Sequence, residues 1–306
     1  MRARDSWDYS PNCLMPEGVD LPPGISRFAA AVEYNGALFC GWQRQLHSPS
    51  VQSAVEQALT KIAASPVKIA CAGRTDTGVH ATNQIIHFDT AAQRSPRNWL
   101  LGANTQLPDA VRIHWVATVE PRFHARFSAL SRTYRYIISN EPVRPALFRH
   151  LLTWCKQPLD ADAMHAAAQQ LLGENDYSSF RSSGCQSKSP FRSMAAIRVY
   201  RQQQLVIIEV TANAFLHHMV RNIAGALLAV GKHEKPVAWV GELLQARDRT
   251  LGEVTAPADG LYLVNVAYPP RFGLPEFNPG PPFVVAAPDA VSSAECCDGS
   301  ARIASQ

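Results

Sequence analysis

Apolar residues recur along this chain at two spacings, and the switches between them mark out the elements. Phe28 to Tyr34 is a compact apolar run that predicts a strand. After Ser50, a capping residue, Val51, Val55, Leu59 and Ile62 fall three or four apart and predict a helix. Short apolar runs at Val67 to Ala70, Gln84 to Phe88, Val111 to Val119 and Thr133 to Ser139 read as strands. Asp160 can cap a second helix with Met164, Ala168, Leu171 and Leu172 on one stripe, closed by Gly173. Arg198 to Thr211 reads as a hairpin turning at Arg201 to Gln204, with Leu205 to Val210 as its second arm. A long apolar helix is expected over Leu216 to Val230, ending at Gly231, and another over Val237 to Ala246. Leu261 to Ala267 is the last expected strand. Strands and helices so mixed predict an α+β fold.

Both ends depart from this patterning. Met1 to Gly24 carries four prolines and no apolar core segment, so it predicts neither a signal peptide nor packed structure. Asn278 to Gln306 is rich in Pro, Ala and Ser without apolar period and reads as disordered. Residues 1–26 and 272–306 are therefore assigned as extension and tail. With 46% hydrophobic residues in 306, the remainder can bury a sizeable core. No run of about 18 apolar residues exists, so no membrane span is expected. Seven scattered cysteines without a Cys-x-x-Cys pair fit a reducing, cytoplasmic setting.

Charge sharpens the picture. The two ends hold three bases against eight acids, which leaves 26 bases and 17 acids between them. Of the 29 bases, 23 are arginine, the residue that grips phosphate with a planar fork. Pro121 to Arg149 has six arginines against Glu141 alone, and Tyr177 to Ile208 has five bases and no acid. Phe123, Phe127, Phe180 and Phe191 interleave with them. Phosphate contact plus stacking is how folded RNA is held, although a solvated basic face gives the same charges.

The most specific string is Cys71-Ala72-Gly73-Arg74-Thr75-Asp76-Thr77-Gly78-Val79-His80-Ala81, set between two expected strands. Glycines on either side of Arg-Thr-Asp demand a sharp turn that displays polar side chains. Asp76 could simply bond nearby amides, as turn aspartates do. Alternatively the loop presents a carboxylate beside a guanidinium for chemistry.

That string resembles the signature loop of the pseudouridine synthases, in detail the TruA family. Six further pieces match in the family's order: 39–45 (Phe-Cys-Gly-Trp-Gln-Arg-Gln), 123–128 (Phe-His-Ala-Arg-Phe-Ser), 134–136 (Tyr-Arg-Tyr), 172–176 (Leu-Gly-Glu-Asn-Asp), 213–222 (Asn-Ala-Phe-Leu-His-His-Met-Val-Arg-Asn) and 256–263 (Ala-Pro-Ala-Asp-Gly-Leu-Tyr-Leu). Thr77 stands where the family usually has Ala, a small departure. The resemblance runs from about Phe28 to Arg271. It implies two α+β domains, 27–122 and 123–271, whose antiparallel sheets join into one, with helices packed outside and a cleft between them. It also implies a homodimer and a tRNA substrate, with uridine isomerised to pseudouridine on the 3′ side of the anticodon stem-loop (tRNA positions 38–40).

Pseudouridine is an isomer of uridine: the N1–C1′ bond breaks and C5 joins C1′. No electrons enter or leave, so no cofactor is expected. The chain has no dinucleotide fingerprint, no P-loop and no His-Glu-x-x-His. His217-His218 could suggest a metal, but neighbours on a helix point about 100° apart, so packing or RNA contact is expected and no metal.

By resemblance, Asp76 is the catalytic nucleophile, at C1′ or at C6 of uracil, or an aid to a glycal route. Arg221 pairs with it, since a carboxylate in a dry cleft needs a cation. Tyr134 stacks on the uracil and can join in proton transfer. Arg74 fills the gap left by the flipped base or braces its own loop. RNA contacts are implied at Arg94, at Phe123, His124, Ala125, Arg126 and Phe127, and at Gly184, Cys185, Gln186, Ser187 and Lys188. A noncatalytic RNA binder would not need Asp76, Tyr134 and Arg221 as a set. An acid-type hydrolase would need a second carboxylate near Asp76, and the next acid in sequence is Asp89, beyond a strand.

Overall fold

A computed structural model describes residues 21–276 and 280–284, and among these ten strands form one sheet accompanied by five α-helices. The first half runs β1 (Ser26–Tyr34), α1 (Val51–Ala63), β2 (Ile69–Cys71), β3 (His80–Thr90), α2 (Pro96–Gln106) and β4 (Val111–Val119). The second half runs β5 (Ser131–Ser139), β6 (Thr153–Trp154), α3 (Ala161–Ala168), β7 (Gly173–Asp176), β8 (Phe191–Gln202), β9 (Leu205–Ala212), α4 (Met219–Gly231), α5 (Trp239–Ala246) and β10 (Leu261–Ala267).

The sheet order is β4-β1-β3-β10-β5-β9-β8-β7, with β2 also on β3 and β6 also on β5. All pairings are antiparallel except β10 with β3 and β6 with β5. The last strand therefore joins the two halves. Leu263 lies beside Ala81 on one edge and Tyr134 on the other, which brings the start of β3 close to β5. One buried cluster spans both halves beneath the helices.

The opposite face has a smaller core. Ile137, Ile207, Tyr262 and Val264 are buried there with Leu152 and Val284, and Phe283 packs against them. This corrects the tail expected from 272 onward. Phe272 is buried, the Gly280 amide donates to Thr82 Oγ1 at 3.1 Å, and Gln202 Nε2 donates to the Phe283 carbonyl at 3.3 Å. Residues 277–279 and 285–306 lie outside the described residues, as do residues 1–20 of the expected N-terminal extension.

Several boundaries differ from the sequence reading for local reasons. α4 starts at Met219, three residues late, because His218 sits at φ 60° and ψ 8° as a left-handed N-cap. Gly173 opens β7 rather than closing a helix, after a turn of 3-10 helix at 169–171. α2 escaped the periodicity because only Trp99 and Ala103 are buried along it. Its start was written in the chain: Ser95 Oγ accepts from the Asn98 amide at 3.2 Å, and Pro96 sits in the first turn.

Candidate active site

Asp76 stands in the loop between β2 and β3, and that loop is held from behind. The Trp42 amide donates to the Thr75 carbonyl at 3.0 Å, and Thr75 Oγ1 bonds the Tyr34 hydroxyl at 2.8 Å. Gly73 N–H donates to Gln84 Oε1 at 3.3 Å. Gly36 lies so close that a Cβ there would sit 1.9 Å from the Val79 carbonyl oxygen. Gly78 closes the turn at φ 82°, where a side chain would be strained. Backbone and neighbours, rather than the Asp76 side chain, thus fix the loop, and the carboxylate is 31% exposed.

Three nitrogen-bearing side chains converge on it from the start of α4. Arg221 Nη1 is 3.7 Å from Oδ2, His218 Nε2 is 3.3 Å from Oδ2 and His217 Nε2 is 3.5 Å from Oδ1. Arg221 divides its fork: Nε donates to the Ala256 carbonyl at 2.8 Å while Nη1 faces Asp76. Burial holds the His218 imidazole below its ordinary value; Asp76 pulls upward, and His217 and Arg221 push down again.

The two histidines are what the sequence reading missed. Residues one apart diverge on a helix, but His218 is not helical. Its left-handed backbone turns the rings side by side, with centroids 3.9 Å apart and planes 31° apart. Asp76, His217 and His218 offer ligand atoms within 4.8 Å of one another. Nothing short of the φ value could have revealed this from the chain.

Tyr134 is 9% exposed on β5, with its hydroxyl 3.8 Å from where a Gly73 Cβ would stand. Phe215 meets its ring edge-on at 5.1 Å. Burial drives the phenol well above its ordinary value; Arg132 opposes this and Asp76 reinforces it. Arg74 is exposed and forms no hydrogen bond or ion pair among the described residues.

The expected RNA-contact residues divide. Phe123 and Ala125 are fully buried, so their side chains hold the segment against Tyr268 and Phe272 and cannot meet a ligand. His124 Nδ1 accepts from the amides of Arg126 and Phe127, which shapes a turn that leaves those two side chains exposed. Arg126 lies over the Phe127 ring at 5.6 Å. Arg94 is exposed but its Nε donates to the Ile62 carbonyl at 2.7 Å, at the end of α1. In the 184–188 loop, Gly184, Gln186 and Lys188 are exposed, and Arg181 ties the carbonyls of Cys185 and Ser187. The loop touches the site through Cys185 Sγ, which accepts from the His217 amide at 3.4 Å.

Part of the basic composition also turns inward. Arg132 donates to the carbonyls of Ala72, Arg126 and Asn213 and so clamps three loops around the site. Arg135 pairs with Glu209 across β5 and β9 at 2.7 Å, with both side chains largely buried. A surface groove of about 440 Å³ is lined by Ser182, Ser183, Arg249, Thr250 and residues 252–255, and none of Asp76, His217, His218 or Arg221 lines it.

A family model described as tRNA pseudouridine synthase matches residues 30–128 and 167–269. Over 248 residues the chain is 56% identical to a tRNA pseudouridine synthase A of Methylococcus capsulatus, covering 81% of this chain and 92% of that one. It is 54% identical over 251 residues to the protein of that name in Hydrogenovibrio crunogenus, covering 82% and 96%. The similarity to the Legionella pneumophila protein of that name is also 54%, over 258 residues, covering 84% and 98%.

Proposed function

The chain belongs to the tRNA pseudouridine synthase family, and from that premise we propose how its own residues carry out the reaction. The enzyme is an isomerase that converts uridine to pseudouridine in tRNA. Its target is the 3′ side of the anticodon stem-loop, at tRNA positions 38–40.

Asp76 is the nucleophile. The observation that carries this is the convergence of Arg221 and two imidazoles on one accessible carboxylate in an otherwise braced loop. Arg221 supplies the counter-charge that the carboxylate keeps when a base displaces water from it. The divided fork of Arg221 also ties α4 to the 256 strand-loop, which fixes where that charge sits.

Tyr134 stacks on the extruded uracil. Its hydroxyl is held protonated by burial, so it donates a hydrogen bond more readily than it abstracts a proton. Arg74, exposed and without a partner bond among the described residues, enters the space the flipped base leaves. Arg126, Phe127, Lys188 and Arg94 grip the phosphate backbone and loop bases. No cofactor enters this scheme, because substrate and product have the same atoms and oxidation state.

The two halves of the sheet act as two domains, 27–122 and 123–271, with the RNA entering a cleft where β10 joins them. The enzyme works as a homodimer in the cytoplasm; among the described residues no helix is long and apolar enough to cross a membrane. The deciding experiment incubates the purified protein with unmodified tRNA and maps pseudouridine at single-nucleotide resolution. Product confined to positions 38–40 supports the reading; no product, or product only elsewhere, overturns it.

A further inference from the structure

We propose that Asp76, His217 and His218 form a binding site for a borderline transition-metal dication, Zn²⁺ foremost, and that filling it switches the enzyme off by occupying the nucleophile. The inhibitory half rests on the assignment of Asp76 above. The binding half stands on geometry.

The two nitrogen-to-oxygen distances are 3.5 and 3.3 Å. They exceed the roughly 2.9–3.0 Å preferred by N–H···O hydrogen bonds. Each is close to the distance of about 3.3–3.4 Å between two ligands of one tetrahedral ion with bonds of about 2.0–2.1 Å, with His217 facing Oδ1 and His218 facing Oδ2. The third edge, between the histidines, is within the same 4.8 Å limit. An ion placed among the three takes both imidazoles and either one carboxylate oxygen, once the carboxylate turns, or both oxygens.

The site is also held in advance. The left-handed backbone of His218 sets the two rings side by side. The His217 amide is tied to Cys185 Sγ and its carbonyl accepts from the Ser182 amide at 3.1 Å. Asp76 rides on the braced loop. Access is open, with Asp76 31% and His217 39% exposed. Two imidazoles and a carboxylate with a free fourth position form a donor set that suits zinc. Mg²⁺ prefers six oxygens and gains little from two nitrogens. Arg221 faces the same carboxylate and opposes a dication, so its charge weakens the site.

The test titrates purified, full-length, metal-free protein with zinc sulfate, by calorimetry and by competition with a chromogenic chelator. The expected result is one Zn²⁺ per chain, weakened by an order of magnitude or more in His217→Ala, His218→Ala and Asp76→Asn. Cys185→Ser keeps its affinity. Co²⁺ in place of Zn²⁺ gives a tetrahedral visible band that the histidine variants lose. In parallel, wild-type isomerisation is followed at buffered free Zn²⁺ with folded tRNA held constant. Activity falls with the same midpoint as metal occupancy and returns on adding EDTA, while magnesium sulfate has no such effect. Absence of stoichiometric binding, or binding that survives all three site variants, overturns the metal site and leaves Asp76 untouched as nucleophile. Full occupancy through these residues with undiminished isomerisation overturns the inhibition, and the Asp76 assignment with it.

Discussion

At the scale of single residues, the site depends on charge placed at fixed points. Asp76→Asn keeps the shape of the side chain and removes its nucleophilic charge. Single-turnover isomerisation is expected to fall by far more than tenfold (about 1.4 kcal/mol of barrier), while tRNA affinity measured by filter binding stays close to wild type. Arg221→Lys tests the divided fork: one ammonium cannot both hold the Ala256 carbonyl and face Asp76. It is expected to recover only part of the turnover that Arg221→Ala loses. Two other histidines set an acid limit on stability. Burial lowers His80 to about 4 and His87 to about 3, from an ordinary 6.5. Both are neutral in the fold: His80 Nδ1 accepts from the Gly36 amide, and its Nε2 meets the His150 carbonyl at 2.9 Å. Between pH 6.5 and 4 the unfolded chain takes up protons that the folded one refuses. Stability therefore falls as pH drops through that window, by up to about 1.4 kcal/mol per unit for each histidine. Urea midpoints measured from pH 7.5 downward check the sign, and His80→Gln should flatten the slope.

At the scale of elements, the loop that carries Asp76 is only as rigid as the segment behind it. Gly36 follows β1 in a short 3-10 turn and touches the Val79 carbonyl. Gly36→Ala forces a methyl group into that backbone. Overpacking of this kind costs about 1–3 kcal/mol, and the displaced loop carries Asp76 away from Arg221. Both the melting temperature and single-turnover rate are expected to drop, although residue 36 touches no catalytic side chain. Unchanged turnover with a lowered melting temperature would show that the brace serves stability alone. The motif around Asp76 was legible in the chain because its turn chemistry is local. The brace was half legible: the 39–45 string was noticed, but not that it lies against the Asp76 loop. The approach of Arg221 on α4 is implied by the family resemblance, but the convergence of His217 and His218 is not legible, because it hangs on one left-handed residue.

At the scale of the whole molecule, two surfaces are tested separately. The first is the sheet face under Phe283 and Val284. A chain ending at Glu276 uncovers Ile137, Ile207, Tyr262 and Val264. Losing that burial is expected to cost roughly 2–4 kcal/mol and to lower the melting temperature by several degrees. A chain ending at Val284 keeps the cover, so equal melting of the two truncations would remove any structural role for residues 280–284. The second surface is the exposed basic one. Neutralising Arg126 or Lys188 should weaken tRNA binding and flatten the salt dependence by somewhat less than one unit each. Arg94 should do so less, because its guanidinium already serves the Ile62 carbonyl. Arg221→Ala should leave the slope almost unchanged, and binding constants at four salt concentrations separate the groups.

The α+β character, most of the strands and helices, the Arg-Thr-Asp loop and, through that loop and its companion motifs, the family can be read from the chain alone. Those features are local: period, cap and turn chemistry are set by residues within a few positions of one another. Even so, composition overstated the RNA surface. Arg132 is half-buried and spends its guanidinium on backbone carbonyls, Arg135 is buried against Glu209, and the side chains of Phe123 and Ala125, contacts implied by resemblance, are buried too. Which further side chains share a point in space depends on the folded chain. β10 enters between β3 and β5 and so aligns Ala81, Leu263 and Tyr134 in one row. The φ of His218 then turns two imidazoles onto a carboxylate some 140 residues earlier. Convergence over such distances is fixed by strand register and by single backbone angles, and neither leaves a periodic mark on the chain.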